Sequence, residues 1–380
     1  MCKIKVNLFK NYQGDNQISM LIYGDKLEQY LKLGFSKDCS IEVYSPQYSK
    51  LAKTFNGFLL AKKMFSYWKR FVEYPYIASK VKNGVNHIVD HNSSYLINYL
   101  DPEKTVVTCH DLIFFRLNSR QQECTKFIRA REKVRKYTTS GLLKARKIIA
   151  DSENTKKDII ELTGRNPDDI SVIYPGVNSC FYKITDEKLL EFQKIKLGVN
   201  FPFVILHVGE NSSYKNIEGI LYSLEIILSR KLFNNIHFVK VGKDFTSKQY
   251  NLIQKLKLIN NVHYLGILNN ETLALIYNLS NVLVFPSWYE GFGWPPLEAM
   301  ACGIPVVCSN EGSLKEIVDD AACIIKPEDY ERIANAVCRL INDFDFRNKI
   351  IKRGFENAKR FDWCETVKKV FNIYLEILKD

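Results

Sequence analysis

Short apolar runs alternate with stretches of helical periodicity along the whole chain. In the first half, residues 3–8, 41–44, 87–89, 105–109, 147–150 and 170–174 read as buried strands. Helices are predicted between them over 20–33 and 155–162. Runs without polar alternation fit strands covered on both faces, so this order predicts a parallel sheet between two helical layers. A charged stretch over 183–196 then separates a second alternation from the first. Its strands fall at 203–208, 237–241, 263–265, 282–285, 306–308 and 322–325, and its helices at 216–228, 248–258, 271–279 and 296–301. The fold class is therefore α/β with two doubly wound domains, expected at 1–180 and 181–360. An amphipathic helix over 361–378 (Trp363, Val367, Val370, Phe371, Tyr374, Leu375, Leu378) is expected to close the chain by packing back on the first domain. Ligands of such sheets bind beyond the carboxyl ends of the strands, which puts the expected active site in a central cleft faced by both domains.

A chain of 380 residues exceeds one hydrophobic core. With 46% hydrophobic and 25% charged residues it is neither disordered nor a fibrous rod. No eighteen-residue apolar window occurs, and the first residues lack the apolar core of a signal peptide. Ten cysteines are scattered without a C-x-x-C pair, which suits reduced thiols and a cytoplasmic location.

The net charge of +12 is concentrated: residues 51–150 hold 19 basic against 7 acidic side chains, and the rest of the chain balances. Residues 116–147 read as a basic amphipathic helix, which is either a solvated face or a surface for anionic lipid or phosphate. Met64, Phe65, Tyr67, Trp68, Phe71, Val72, Tyr74 and Tyr76 lie among Lys62, Lys63, Lys69 and Arg70, a mixture that suits a membrane interface.

The chemistry concentrates in residues 285–308, FPSWYEGFGWPPLEAMACGIPVVC. A strand ends at Pro286, a loop carries Gly291 and Gly293, and Pro295 and Pro296 suit the first turn of a helix that Gly303 would terminate. The amides of Gly291, Phe292, Gly293 and Trp294 then form a cradle for an anion or hydroxyl groups. Glu290 precedes that cradle and Glu298 sits in the first predicted turn among Leu297, Ala299, Met300 and Ala301. A carboxylate in such company needs hydrogen-bond donors, and a sugar or ribose diol supplies two; a simple helix-dipole carboxylate is the plainer alternative.

Glu290 to Glu298 with the following Ala-Met-Ala-Cys-Gly-Ile-Pro-Val-Val resembles the Glu-x7-Glu signature of the family 4 retaining glycosyltransferases. Tyr214-Lys215-Asn216, 262–266, 309–318, 173–177 and 151–158 agree with it, so the resemblance spans about residues 105–375. It implies the GT-B fold, two Rossmann-like domains, the second holding a nucleotide-sugar donor and the first an acceptor. Residue by residue, it implies that Glu298 binds ribose hydroxyls, that Glu290 contacts the transferred sugar, and that Gly291, Phe292, Gly293 and Trp294 hold sugar hydroxyls or diphosphate. Gly209, Asn211, Lys215 and Leu265 complete the donor side, with Lys215 neutralising the leaving diphosphate. His110 is placed beside the transferred sugar, with Asp111 and Gly14 on the acceptor side; a satisfied core histidine is the alternative for His110. Glu210 stands where many relatives carry arginine.

The implied reaction moves a hexose from a nucleoside diphosphate sugar, GDP-mannose or a UDP-sugar, to a saccharide or lipid-linked saccharide with retention and without a metal or other cofactor. Asp343-Phe344-Asp345 resembles a metal-binding D-x-D only by chance. The absence of any G-x-G-x-x-G after a strand speaks against a dinucleotide-dependent oxidoreductase. No nucleic-acid partner is expected, since that reading leaves both glutamates idle. A catalytically inactive partner subunit is the remaining alternative, and an anionic membrane surface is an expected partner of the basic first half.

Overall fold

The computed structural model describes residues 3–12, 18–46, 59–118, 133–134, 136–231 and 235–379. The chain divides into two compact units, Met1–Gly176 with Trp363–Asp380, and Val177–Asp362.

In the first unit β1 (Ile4–Phe9), β2 (Cys39–Tyr44), β3 (Val85–Ile88), β4 (Thr105–Cys109), β5 (Lys147–Ala150) and β6 (Ile170–Val172) form a parallel sheet ordered β2-β1-β3-β4-β5-β6. In the second, β7 (Phe203–Gly209), β8 (Ile236–Gly242), β9 (Val262–Tyr264), β10 (Val282–Phe285), β11 (Val306–Ser309) and β12 (Cys323–Ile325) are ordered β12-β11-β10-β7-β8-β9, again all parallel. Each sheet is wound outward from its first strand, so the carboxyl ends of β1 and β3, and of β7 and β10, flank a topological switch point. Burial along the whole of β3, β4, β10 and β11 explains why these segments read as unbroken apolar runs. On one face of the second sheet, Ile205, Phe238, Val284 and Val307 pack with Leu221 and Leu224 of the helix Ile217–Ser229 and with Ile333 and Val337 of the helix Tyr330–Asn342.

The closing helix Trp363–Lys379 belongs to the first unit. Phe371 stacks on Phe35 at 4.2 Å, and Trp363 lies against Tyr23 and Tyr30 of the helix Ile18–Phe35. The Tyr374 hydroxyl meets Nδ1 of buried His87 at 2.6 Å. Of the predicted apolar stripe, Leu378 is the exception and stays exposed.

Two sequence expectations change. The predicted basic helix over 116–147 is not continuous in its described parts. It begins inside the helix Ile113–Asn118, becomes a 3-10 turn at Ser140–Leu143, and ends in β5. A run of eleven basic residues masks a turn at Gly141, where a Cβ would stand 2.3 Å from the Ser94 carbonyl. The aromatic and basic stretch likewise divides. Lys69 and Tyr74 are buried, Lys69 paired with Glu73 and the Tyr74 hydroxyl donating to the Lys10 carbonyl at 2.7 Å, whereas Met64, Tyr67, Trp68, Val72 and Tyr76 stay exposed.

Candidate active site

The second unit assembles its site from the ends of β7 and β10. Beyond β7 the chain leaves through Gly209 at φ 147°, turns through Ser213–Lys215 and enters the helix Ile217–Ser229. Asn216 sits at the hinge in the left-handed region (φ 55°), where a short amide side chain is tolerated. Its Oδ1 caps the helix by accepting from Gly219 N, and its Nδ2 donates to the Pro286 and Pro327 carbonyls. Trp288 N donates to the Tyr214 carbonyl at 2.7 Å. These two ties hold the β7 turn against the β10 loop and bring Lys215 to Glu290, seventy-five positions away in sequence.

Lys215 Nζ lies 2.7 and 2.9 Å from the two Glu290 oxygens, with both side chains about one-tenth exposed. The ammonium also stands over the rings of Phe285 and Tyr214. The Glu290 carbonyl accepts from Ser313 N and Ser313 Oγ, and Gly312 (φ 61°) lies beneath it; a Cβ there would come 2.5 Å from that carbonyl. Phe292 is buried, its carbonyl accepting from Ser313 Oγ, and Gly293 caps the next helix with φ 113°.

That helix, Trp294–Ala301, starts two residues earlier than expected, which moves Glu298 from the first turn to the second. Burial raises the Glu298 carboxyl to about 7, and the donated Tyr277 hydroxyl at 2.7 Å holds it from rising further. Behind the turn, His207 and Lys240 occupy paired positions of β7 and β8 and are fully buried. Lys240 Nζ donates to the Gly209 and Lys243 carbonyls; burial pulls its ammonium down to about 8. Leu265, just past β9, donates its N–H to the Lys240 carbonyl. Asn211 donates Nδ2 to the Asp244 carbonyl at 2.5 Å, and Glu210 points to solvent.

The first unit holds His110 and Asp111 at the end of β4; Gly14 lies outside the described residues. His110 is buried with both ring nitrogens engaged, Nδ1 to Asp151 Oδ2 at 2.5 Å and Nε2 to the Val89 carbonyl at 2.8 Å. Tyr23 meets its ring edge-on at 4.8 Å. Burial works against a charged ring, but the carboxylates of Asp151 and Asp90 outweigh it and raise His110 to about 9. Asp111 is half-buried and accepts from Ile113 N at the next helix start. Asp90 and Asp151 were not singled out from the sequence as site residues. The available signal was an Asp directly after a buried strand in Val-Asp-His (89–91) and Ala-Asp-Ser (150–152). Asn11, at the end of β1, donates to Asp90, so four strand ends contribute to this cluster. Asp343 of the D-x-D tripeptide caps the helix Phe344–Ala358 by accepting from Phe346 N. Among the described residues no three His, Cys, Asp or Glu side chains are grouped to hold a metal ion.

Two family profiles match in tandem, "Glycosyltransferase Family 4" over residues 43–179 and "Glycosyl transferases group 1" over residues 191–357. The chain is 28% identical over 280 residues to the O-antigen chain mannosyltransferase B of Escherichia coli, covering 72% of this chain and 70% of that one. It is 31% identical over 234 residues to an uncharacterized glycosyltransferase of Methanocaldococcus jannaschii, covering 60% of this chain and 59% of that one, less than two thirds of that relative. The crystal structure of Anabaena HepE in complex with UDP superposes with a TM-score of 0.69 over 99% of this chain and all of that one, a likeness of fold at 18% identity. The tandem matches, the two parallel sheets and the paired glutamates agree: this chain belongs to the family 4 glycosyltransferases and has their GT-B fold.

Proposed function

We propose that the protein transfers a hexose, with retention of anomeric configuration, from a nucleoside diphosphate sugar to a hydroxyl of a saccharide or lipid-linked saccharide in cell-surface glycan synthesis. The observation that carries this reading is the pairing of Lys215 with Glu290 at the switch point of the second sheet. A cation there meets the diphosphate, and an adjacent carboxylate meets the sugar hydroxyls. Glu298 accepts from the ribose diol, and the chain at Gly291 to Trp294, with Gly209, Asn211 and Leu265, borders the donor. The identity to an O-antigen mannosyltransferase favours GDP-mannose, with UDP-sugars as the other donor class.

In the proposed reaction the glycosidic bond to the leaving phosphate breaks as the acceptor hydroxyl attacks the same face of the sugar. The departing phosphate oxygen takes the acceptor proton. Glu290 stabilises and positions positive charge developing on the sugar ring and forms no bond to it. Lys215 supplies the countercharge to the leaving group, so transfer is expected to persist in a chelator. His110, with both nitrogens held internally, contributes fixed positive charge on the acceptor side rather than proton transfer, with Asp111 beside it.

Among the described residues no helix is long and apolar enough to cross a membrane. Exposed Met64, Tyr67, Trp68, Val72 and Tyr76 beside Lys80 support peripheral binding of the first unit to the inner, anionic face of a membrane from the cytoplasm. Flotation with anionic liposomes at low salt tests this, and failure to float removes it.

The central test is turnover of GDP-mannose and a panel of UDP-sugars, with product configuration read by NMR. Glu290→Ala should abolish transfer and leave the fold intact. Unchanged turnover in that variant would overturn the site, and no turnover by the native protein with any donor would favour an inactive partner subunit.

A further inference from the structure

Lys215 and Glu290 neutralise one another at the place where, on the reading proposed above, diphosphate and sugar meet. The contact is bidentate, at 2.7 and 2.9 Å, and nearly closed to water, so it is little screened. The backbone of each partner is held in place, which leaves the side-chain ends to re-pair. Glu290 is fixed through its carbonyl by Ser313 N and Oγ, with Gly312 packed beneath. Lys215 is fixed by the Trp288 to Tyr214 tie, by its own N–H to the Ser212 carbonyl at 2.9 Å, and by the Phe285 and Tyr214 rings.

A phosphate oxygen that reaches Lys215 therefore meets the Glu290 carboxylate at close range. We infer that the Lys215–Glu290 pair is a specificity device, selecting an intact nucleotide sugar over the free nucleoside diphosphate. A sugar carries hydroxyl donors that take over the Glu290 oxygens as the ammonium turns toward phosphate, so the carboxylate is never left bare. The free diphosphate brings only more negative charge, and it must compete with Glu290 for the same ammonium. Loss of the sugar by transfer removes the donors that held Glu290, the carboxylate reclaims Lys215, and the diphosphate product is released. The inference rests on the proposed donor site and adds to it a reason for product release.

Calorimetric binding of GDP, UDP, GDP-mannose and UDP-glucose to the native protein, Glu290→Gln, Lys215→Gln and the double variant tests it, with melting curves to confirm folding. Glu290→Gln keeps the shape and removes the competing charge. Binding of the diphosphate should tighten by at least about tenfold, since a close like-charge contact in a partly buried site repels by more than that factor, while the nucleotide sugar binds no better than to the native protein. In the Lys215→Gln background the gain should vanish, because the competition is for that ammonium. Equal or weaker diphosphate binding to Glu290→Gln, or a gain that survives without Lys215, overturns the inference and leaves the donor site standing. Failure of both diphosphates to bind both the native protein and Glu290→Gln overturns the donor site and the inference together.

Discussion

Asp151→Asn keeps the side-chain size and removes the charge that holds the His110 ring protonated. Both ring nitrogens of His110 face acceptors, a carboxylate oxygen at 2.5 Å and a carbonyl at 2.8 Å, and neither acceptor brings a proton of its own. The ring is therefore an imidazolium. The charged and titratable groups around it are Asp90 and His91 after β3, His87 within β3, Asp111 after β4, Asp151 after β5 and the Tyr23 ring. The folded value of about 9 lies above the ordinary 6.5, so the stabilisation is complete below pH 6.5 and is lost as pH rises through 9. At about 1.4 kcal/mol per pH unit, that interval corresponds to about 3 kcal/mol. Lys240 in the other unit works in the opposite sense, because its folded value of about 8 lies below the ordinary one and its penalty is relieved above pH 8. Comparing Asp151→Asn with the native protein cancels that contribution. Amide exchange in β4 and β5 reads local stability of the first unit, and ring nitrogen shifts read protonation. The native protein should exceed the variant in stability by a margin that narrows by about 3 kcal/mol between pH 6.5 and 9. Its ring should be doubly protonated at pH 7.5 and the variant's neutral. A margin independent of pH, or a neutral native ring at pH 7.5, refutes the reasoning.

Gly312→Ala places a Cβ 2.5 Å from the Glu290 carbonyl at a left-handed position, so steady-state transfer should fall by about a hundredfold, as expected for a shift of about 1 Å in a positioned group. Asn216→Ala removes a helix cap and two ties to the Pro286 and Pro327 carbonyls. It should destabilise the second unit by at least about 1–2 kcal/mol in denaturant melts and weaken diphosphate binding with it. Because burial raises the Glu298 carboxyl to about 7, and the ionised form is the stronger acceptor for the ribose hydroxyls of the proposed donor site, calorimetric nucleotide affinity should rise between pH 6 and 8. Glu298→Gln should lower that affinity by about tenfold and remove the pH dependence.

The architecture was legible because each buried strand declares itself as an apolar run. The predicted strands at 105–109, 147–150 and 282–285 coincide with β4, β5 and β10. The glutamates, the glycine loop and Lys215 were legible as polar positions following apolar strands, and the structure sets Lys215 and Glu290 beyond the ends of β7 and β10. What local pattern misled on was the basic stretch over 116–147, where charge periodicity conceals a turn that only close packing against Ser94 reveals.

The tertiary structure alone decided who is whose partner. Periodicity is a property of neighbours in sequence, so it fixes strands, helices and their faces. The bond from Lys215 to Glu290, the clamp of Asp151 on His110 and the Tyr277 hydroxyl on Glu298 join positions 75, 41 and 21 residues apart. The first two close only when parallel strands bring their carboxyl ends to one edge, and the third only when the helices Asn270–Leu279 and Trp294–Ala301 pack together. Charge state follows from the same closure. A histidine that reads as an ordinary base becomes a fixed cation, because the carboxylates of Asp151 and Asp90 outweigh its burial, and a glutamate that reads as an ordinary acid titrates near neutrality, because burial outweighs its one hydroxyl partner.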